Sequence, residues 1–455
     1  MLTKIKVGAS KRCINPPEEL MPYPGYGGVR EGEDINVRTL VIDNGEKLFL
    51  IAAWELGGAP CPDEVRAAVE EKYGIAQENM LISGTHNHHA PHTRGKMQGG
   101  PPPQKLPAEL EEKQNKFSDF VIEQSVIAVG EAIEAMRPAN YGYGEGKSYV
   151  NINRDQLFYE GYWMQGANYE GCSDKTVSVL KFTDDEGNLI AAVANYAMHS
   201  TTSFMTWDVD GKVKITCDIP GIAANLVEEH FGNGAICLWQ SGAAGNQNPN
   251  YVGIMPVYTK DGKMRERRRM NGAAYEQGVA LGQQHGIDII TALEKTEAKK
   301  EKMRITSVDD TLLFPTQKFP EGKDWNANRL MADNLEEWAG VIGPDDPLPV
   351  KDLAEMIPSD ELAPMKAQLI LFGDVAYYGV ACELYNDIAM LCKEASPYKH
   401  LVITTHIGTP QVGYILDDAM VGRKVFQSFG LVPAGRNNAI VVDGMLKMFD
   451  EALLK

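Results

Sequence analysis

Residues 48–92 read LFLIAAWELGGAPCPDEVRAAVEEKYGIAQENMLISGTHNHHAPH, and the order of patterns inside them sets the fold class. Leu48 to Trp54 is an apolar run of strand character that ends at Glu55. Pro60 to Tyr73 reads as a helix, with Pro62 near its start and Asp63 and Glu64 in the first turn, where acidic side chains favour the helix dipole. Met80 to Ser83 is a second short apolar strand. It delivers SGTHNHHAPH, in which His86, His88, His89 and His92 fall within seven consecutive positions of a chain holding nine histidines. Imidazole is the commonest metal-ligating side chain and titrates near neutral pH, so such a cluster suits metal binding or proton transfer. In an extended segment His86 and His88 project from one face. The alternative is a polar loop of exposed histidines, because a metal motif is completed only by distant ligands.

Upstream, Thr39 to Asp43 and Leu48 to Trp54 flank Asn44-Gly45, a strong hairpin signal, and residues 5–15 form a β-like lead. Downstream, RGKMQGGPPPQK at 94–105 reads as a mobile lip over the site. A long helix follows over Pro107 to Met136, with Phe117, Val121, Ala128 and Ala132 at helical spacing. Strands at Asn140–Gly144, Val177–Phe182, Leu189–Tyr196, Ala235–Trp239 and Leu401–Thr405 are interleaved with helices at Asp218–His230, at 272–295 and up to about Lys393. Val308–Phe314 and Leu369–Val380 read as strands around a polar, proline-containing insertion at 316–365. With no repeat and no clean linker, the pattern predicts a single large α/β domain over residues 1–455, with mixed sheet order flanked by helices.

Forty-four Lys and Arg against 62 Asp and Glu give a net charge of −18, which argues against nucleic acid and anionic membranes as partners. No stretch approaches the roughly 20 apolar residues of a membrane helix. The first residues, MLTKIKVGAS, have no apolar leader, and seven scattered cysteines never form C-x-x-C, so a cytosolic protein with reduced thiols is expected. The one basic run, KMRERRR at 263–269, reads as a solvated helix face or a homo-oligomer contact ahead of an anion site.

Three distant residues share one feature with the histidine cluster, a ligand-type side chain just after an apolar strand: His199, Glu383 and Tyr414. Sites in open α/β sheets gather at strand ends, where these segments could converge.

The ordered set VGASKRCINPP, RTLVIDNGEKLFLIAAWEL, LISGTHNHHAPH, VNINRD, NYAMHSTT, CDIPG, WQSGAAGNQNPN, GVACELYNDI and GYILDD resembles the catalytic domain of the neutral (alkaline, non-lysosomal) ceramidases from about residue 5 to 420. The resemblance implies that fold and one Zn2+ per chain, held by His86, His199, Glu383 and Tyr414. It further implies that His88 and Arg154 bind the substrate carbonyl or its oxyanion. Zinc acidifies a bound water to a pKa of about 7 and polarises a carbonyl, so an amide or ester can be hydrolysed near neutral pH. A proton must still reach the leaving amine, and His88 or His89 is the candidate acid. Asp218 reads equally as a partner orienting a ligand histidine and as the N-cap of the following helix.

The departures from the family are informative. Where it has a serine in a G-D-x-S-P-N loop, this chain reads Gly245-Asn246-Gln247-Asn248-Pro249-Asn250, and Asn248 cannot act as a serine nucleophile. The small-residue continuation after the first histidines is replaced by the bulkier HHAPHTRG. The chain ends at Lys455, too soon after Tyr414 for the family's C-terminal immunoglobulin-like domain. These features point to a small polar N-acyl substrate cleaved by metal-activated water. An esterase or lactonase, a zinc lyase or isomerase on a sugar-like or hydroxy-acid substrate, and a silent binding protein are the alternatives.

Overall fold

The structure, a computed structural model, describes residues 2–454 apart from 95–106, 158–162, 205, 259, 261–263, 319, 321–354, 410–411, 424, 426 and 429–431. The lip expected at 94–105 lies almost wholly outside the described residues.

Alternating apolar runs and tight turns build the first sheet, β1 (Lys6–Cys13), β2 (Asn36–Asp43), β3 (Leu48–Trp54), β4 (Met80–Gly84) and β5 (Arg137–Pro138), in the order β4-β3-β2-β1-β5. Asn44 closes the β2–β3 hairpin by accepting the Glu46 and Lys47 N–H groups on its side-chain oxygen. β3 and β4 run parallel, joined by helix α1 (Pro62–Tyr73). Helix α2 (Ala108–Glu134) lies across this sheet, and Gly8 is required there, since a Cβ would stand 2.0 Å from the Ala132 carbonyl oxygen. Ser10 and Thr39 hydroxyls both donate to the Ala128 carbonyl, satisfying polar groups at this dry contact.

The second sheet comprises β6 (Asn140–Lys147), β9 (Thr176–Thr183), β10 (Leu189–Tyr196) and β11 (Ile236–Ser241), ordered β11-β10-β9-β6. β10 and β11 are parallel and joined through α3 (Asp218–Phe231), which packs on α4 (Gly272–Lys295). A small sheet of β7 (Asn151–Leu157), β8 (Trp163–Asn168) and β12 (Gln247–Pro249) leans beside it. Next comes the hairpin β13 (Ile254–Tyr258) and β14 (Met264–Arg269). The basic run is therefore a strand and not a helix face, because its backbone pairs antiparallel with residues 254–258.

The third sheet contains β15 (Ile305–Lys318), β16 (Ile357–Phe372), β17 (Val375–Val380), β19 (His400–Thr405) and β21 (Val432–Pro433), in the order β19-β17-β16-β15-β21. β15 and β16 run well into the segment expected to be an insertion, pairing as far as Lys318 and Ile357 past a register shift at Pro315. β17 and β19 are parallel, joined through α5 (Asn386–Ala395). Two-residue strands β18 (Glu383–Leu384) and β20 (Tyr414–Ile415) pair parallel, and α6 (Asn437–Leu454) covers the third sheet. The expected mixed α/β architecture is what the chain adopts.

The three large sheets share one apolar interior, in which Ile51 and Leu81 of the first meet Leu180, Val193 and Leu238 of the second and Ile370, Tyr377 and Val402 of the third. Phe49 and Phe372 meet edge-to-face there at 5.1 Å, both fully buried. Each sheet thus holds one parallel pair with a helical crossover, and polar bonds tie their carboxyl ends together. Gln240 donates to Ser83 at 3.3 Å, Asn195 to the Ile403 carbonyl at 3.0 Å and Thr405 to the Gly242 carbonyl at 2.9 Å. No helix among the described residues is long and apolar enough to cross a membrane.

Candidate metal centre

β4 ends at Gly84 because the Gly58 backbone crosses there, and a Cβ at Gly84 would stand 2.5 Å from the Gly58 carbonyl carbon. The chain then leaves extended geometry: His86 adopts a φ of 61°, and Asn87 bridges in parallel to Ser200. This turn overrides the strand alternation expected for His86 and His88, yet the rings still converge, with their Nε2 atoms 3.0 Å apart.

His86 Nδ1 lies 2.9 Å from the Gly57 carbonyl, to which it can donate, and its Nε2 faces the cluster. His199, beyond β10, is held the same way, with its ring Nδ1 3.0 Å from the Gln247 carbonyl oxygen that also accepts its backbone N–H. Glu383, at the end of β17, places Oε2 2.9 Å from His199 Nε2 and 3.4 Å from His86 Nε2. The ligand-type nitrogens of His86, His88 and His199 all lie within 4.8 Å of one another. Bonds of 2.0–2.1 Å at tetrahedral angles set ligand atoms about 3.3 Å apart, and the 2.9–3.4 Å spacings here straddle that value. A carbonyl on the far nitrogen of two rings is also the usual support of metal-bound histidine. The donor set therefore fits a small divalent cation such as zinc.

The electrostatics agree with that use. Burial, reinforced by the neighbouring Arg154 and His86, depresses the His199 imidazole to about 3. Burial holds His88 well below its ordinary value too. Burial opposes ionisation of Glu383, but the adjoining His86 and His199 prevail and hold its carboxyl well below the usual range. Lowered His88 and His199 beside an ionised Glu383 match the protonation state that metal ligation requires.

Tyr414 pairs in register with Glu383 across β18–β20. Its phenol, pushed up by burial and by Glu383, accepts from Arg154 Nη2 at 3.1 Å. Arg154 sits at a register shift in β7, only 3% exposed, and forks to the Asn248 Oδ1 at 3.1 Å and the Gly245 carbonyl at 2.6 Å. His86, His88, His199, Glu383, Tyr414, Arg154 and Asn248 are thus brought to one place.

The remaining candidates lie elsewhere. His89 turns away, its Nδ1 3.2 Å from the Lys214 carbonyl and its ring edge-on to Tyr275. Asp218 begins α3 and accepts the Ile219 N–H at 2.7 Å and, with its other oxygen, the Thr202 N–H at 3.1 Å. It steadies the turn after His199 through the backbone, and its charge acts on the buried His89 ring. Asn246 faces α5, donating to Asp387 and accepting the Asn386 N–H. His92 is exposed.

Sequence reasoning passed over His406. It follows β19 directly, is 7% exposed, adopts a φ of 59°, and stacks flat on His86 with ring centroids 4.0 Å apart. The strand-end rule that found His199 and Glu383 would have found it. Because the stacked ring fixes the tilt of His86, His406→Ala is expected to weaken metal binding by about 10- to 100-fold, measured by chelator competition. Unchanged affinity would show that the stack is passive.

Comparison with known proteins agrees with the geometry. The family model for the N-terminal region of neutral/alkaline non-lysosomal ceramidases matches residues 35–279, more than half of the chain. Neutral ceramidases of Drosophila pseudoobscura pseudoobscura and Drosophila melanogaster are each 27% identical over 286 residues, covering 54% of this chain and 36% of the relative. The alignments thus span little more than a third of those relatives. The crystal structure of the neutral ceramidase from Pseudomonas aeruginosa superposes with a TM-score of 0.64 at 17% identity, over 98% of this chain and 74% of that one. A ceramidase solved in complex with C2 gives the same TM-score of 0.64 at 16% identity. The fold is shared with these structures, and by the extent of its family match this chain belongs to the neutral/alkaline non-lysosomal ceramidases.

Proposed function

We propose that this chain is a metal-dependent hydrolase that cleaves the amide bond of a small N-acyl compound. The observation that carries the reading is the convergence of three imidazoles and one carboxylate beside the Arg154 fork. His86, His199 and Glu383 would hold the ion, with Tyr414 beside them. A bound zinc would supply Lewis acidity and an acidified water. Hydrolysis adds the oxygen of water to the carbonyl carbon, breaks the C–N bond and delivers a proton to the leaving nitrogen. Arg154, fixed by Asn248, Gly245 and Tyr414, directs positive charge toward negative charge developing on the carbonyl oxygen. His88, the half-buried member of the cluster, edge-on to Phe204, is placed on the open side to donate to the substrate. Asn248 accepts a hydrogen bond from Arg154 and offers no nucleophile, so water attacks directly. A reducing compartment is in keeping with seven cysteines that are all free thiols.

Metal analysis with a substrate panel tests the reading. Roughly one ion per chain and incorporation of labelled water oxygen into the acid product are the expected results. Turnover without label would exclude hydrolysis and favour a lyase. Arg154→Lys keeps the charge and loses the planar fork, so kcat/KM should fall about 10²-fold with metal content unchanged.

A further inference from the structure

On the β7 face that carries Arg154, the chain has a cavity of about 370 Å³ with a distinctive chemistry. Ile152 and Gln156 flank Arg154 at period-two positions, and Asn248, paired opposite Ile152, both lines the cavity and holds Arg154. No charged side chain lines it among the described residues, although 23% of the chain is charged. Carboxamides at Gln156, Gln165, Asn248 and Asn250 stand against an aliphatic wall of Ile152, Val252, Ile254 and Met255, with the Tyr169 ring, 86% exposed, at the edge.

Among the described residues these amides have donors to spare. Gln156 accepts the Ala167 N–H on its oxygen, and its Nε2 has no partner. Asn248 uses its oxygen on Arg154 and leaves Nδ2 unused, while Gln165 makes no side-chain hydrogen bond. A purely alkyl occupant would suit the aliphatic wall of Ile152, Val252, Ile254 and Met255 but would strand the spare amide donors without water, which is unfavourable. Hydroxyl groups both donate and accept, as carboxamides do, and match them. A charged occupant would find no counter-charge there. The volume is at the small end of ligand sites, of a size for one ring.

We infer that this cavity binds the neutral, hydroxylated part of the substrate, a sugar-sized polyol, with its carbon face on Tyr169. The assignment rests on the hydrolase reading for the direction in which the scissile bond points, toward Arg154, while the cavity's own selectivity is independent of it.

The test therefore uses probes with no scissile bond on the metal-loaded protein: methyl glucoside, 1-hexanol and hexanoate, with binding followed by ligand-observed NMR. Methyl glucoside should bind at least tenfold more tightly than 1-hexanol, and hexanoate should not bind. Gln165→Leu should weaken methyl glucoside by roughly five- to tenfold and leave 1-hexanol unchanged. Ala167→Trp, which fills the cavity, should abolish both. Preference for 1-hexanol, or methyl glucoside binding indifferent to both substitutions, would overturn the assignment. If the expected order holds while no N-acyl compound is turned over, the cavity assignment stands and the hydrolase reading fails.

Discussion

His199→Ala is expected to weaken divalent metal binding by about 10²- to 10³-fold and to remove hydrolytic activity with it. A zinc site of this kind contributes roughly 10–16 kcal/mol of binding free energy, and one ligand in four carries about 2.5–4 kcal/mol of it. His199 is fully buried and doubly tied to the Gln247 carbonyl, so its ring is held in place toward Glu383. Glu383→Gln keeps the shape and removes the charge, and should give a loss of the same order. Chelator competition on protein whose circular dichroism is unchanged makes the measurement. Wild-type affinity in a folded His199→Ala protein would remove this residue from the site.

Arg38→Met should cost about 3–5 kcal/mol of folding stability, a large share of a typical total, with the metal cluster untouched. Arg38 is 2% exposed and bonds Glu55, the Glu228 Oε1 at 2.7 Å and the Asn225 Oδ1 at 2.6 Å. Glu55 in turn accepts the Asn36 backbone N–H at 2.6 Å, so strand β2, the end of β3 and helix α3 meet at one guanidinium. Removing it leaves Glu55 buried with no cation and Glu228 with only Lys11. The cost is that of uncompensated charge, larger than the net worth of the intact network. Denaturant midpoints would show it directly. A shift below about 1 kcal/mol would mean that water reaches these carboxylates.

Much of this architecture is legible before any coordinates. The Asn44-Gly45 hairpin, α1, α2 and β4 carry their own local signals, and the helices at 218–231 and 272–295 stand at nearly the expected limits. The far ends of β15 and β16 do not announce themselves, because past Phe314 strand β15 runs on only through Pro315, Thr316, Gln317 and Lys318, and β16 enters through the polar and proline-containing IPSDELAP. The strand at Met264–Arg269 is invisible for another reason, since charge hides it and only a non-local partner makes it β. In the site, His86, His199, Glu383 and Tyr414 could be picked out by place after a strand. The division of labour between His88 and His89 could not, because it turns on a positive φ at His86 that no side-chain periodicity encodes.

The two-residue pairing of β18 with β20 sets the Glu383 carboxylate opposite the Tyr414 phenol, while the ring nitrogens come from His86 and His199. The proposed ligand set is therefore dispersed from residue 86 to residue 414, and closing it spans long loops. Such non-local closure comes late in folding, after the individual parallel pairs have formed. If these residues hold the proposed ion, metal uptake marks the finished molecule: a chain lacking the segment from β17 to β20 keeps His86, His88 and His199 of the set and would release the ion more readily.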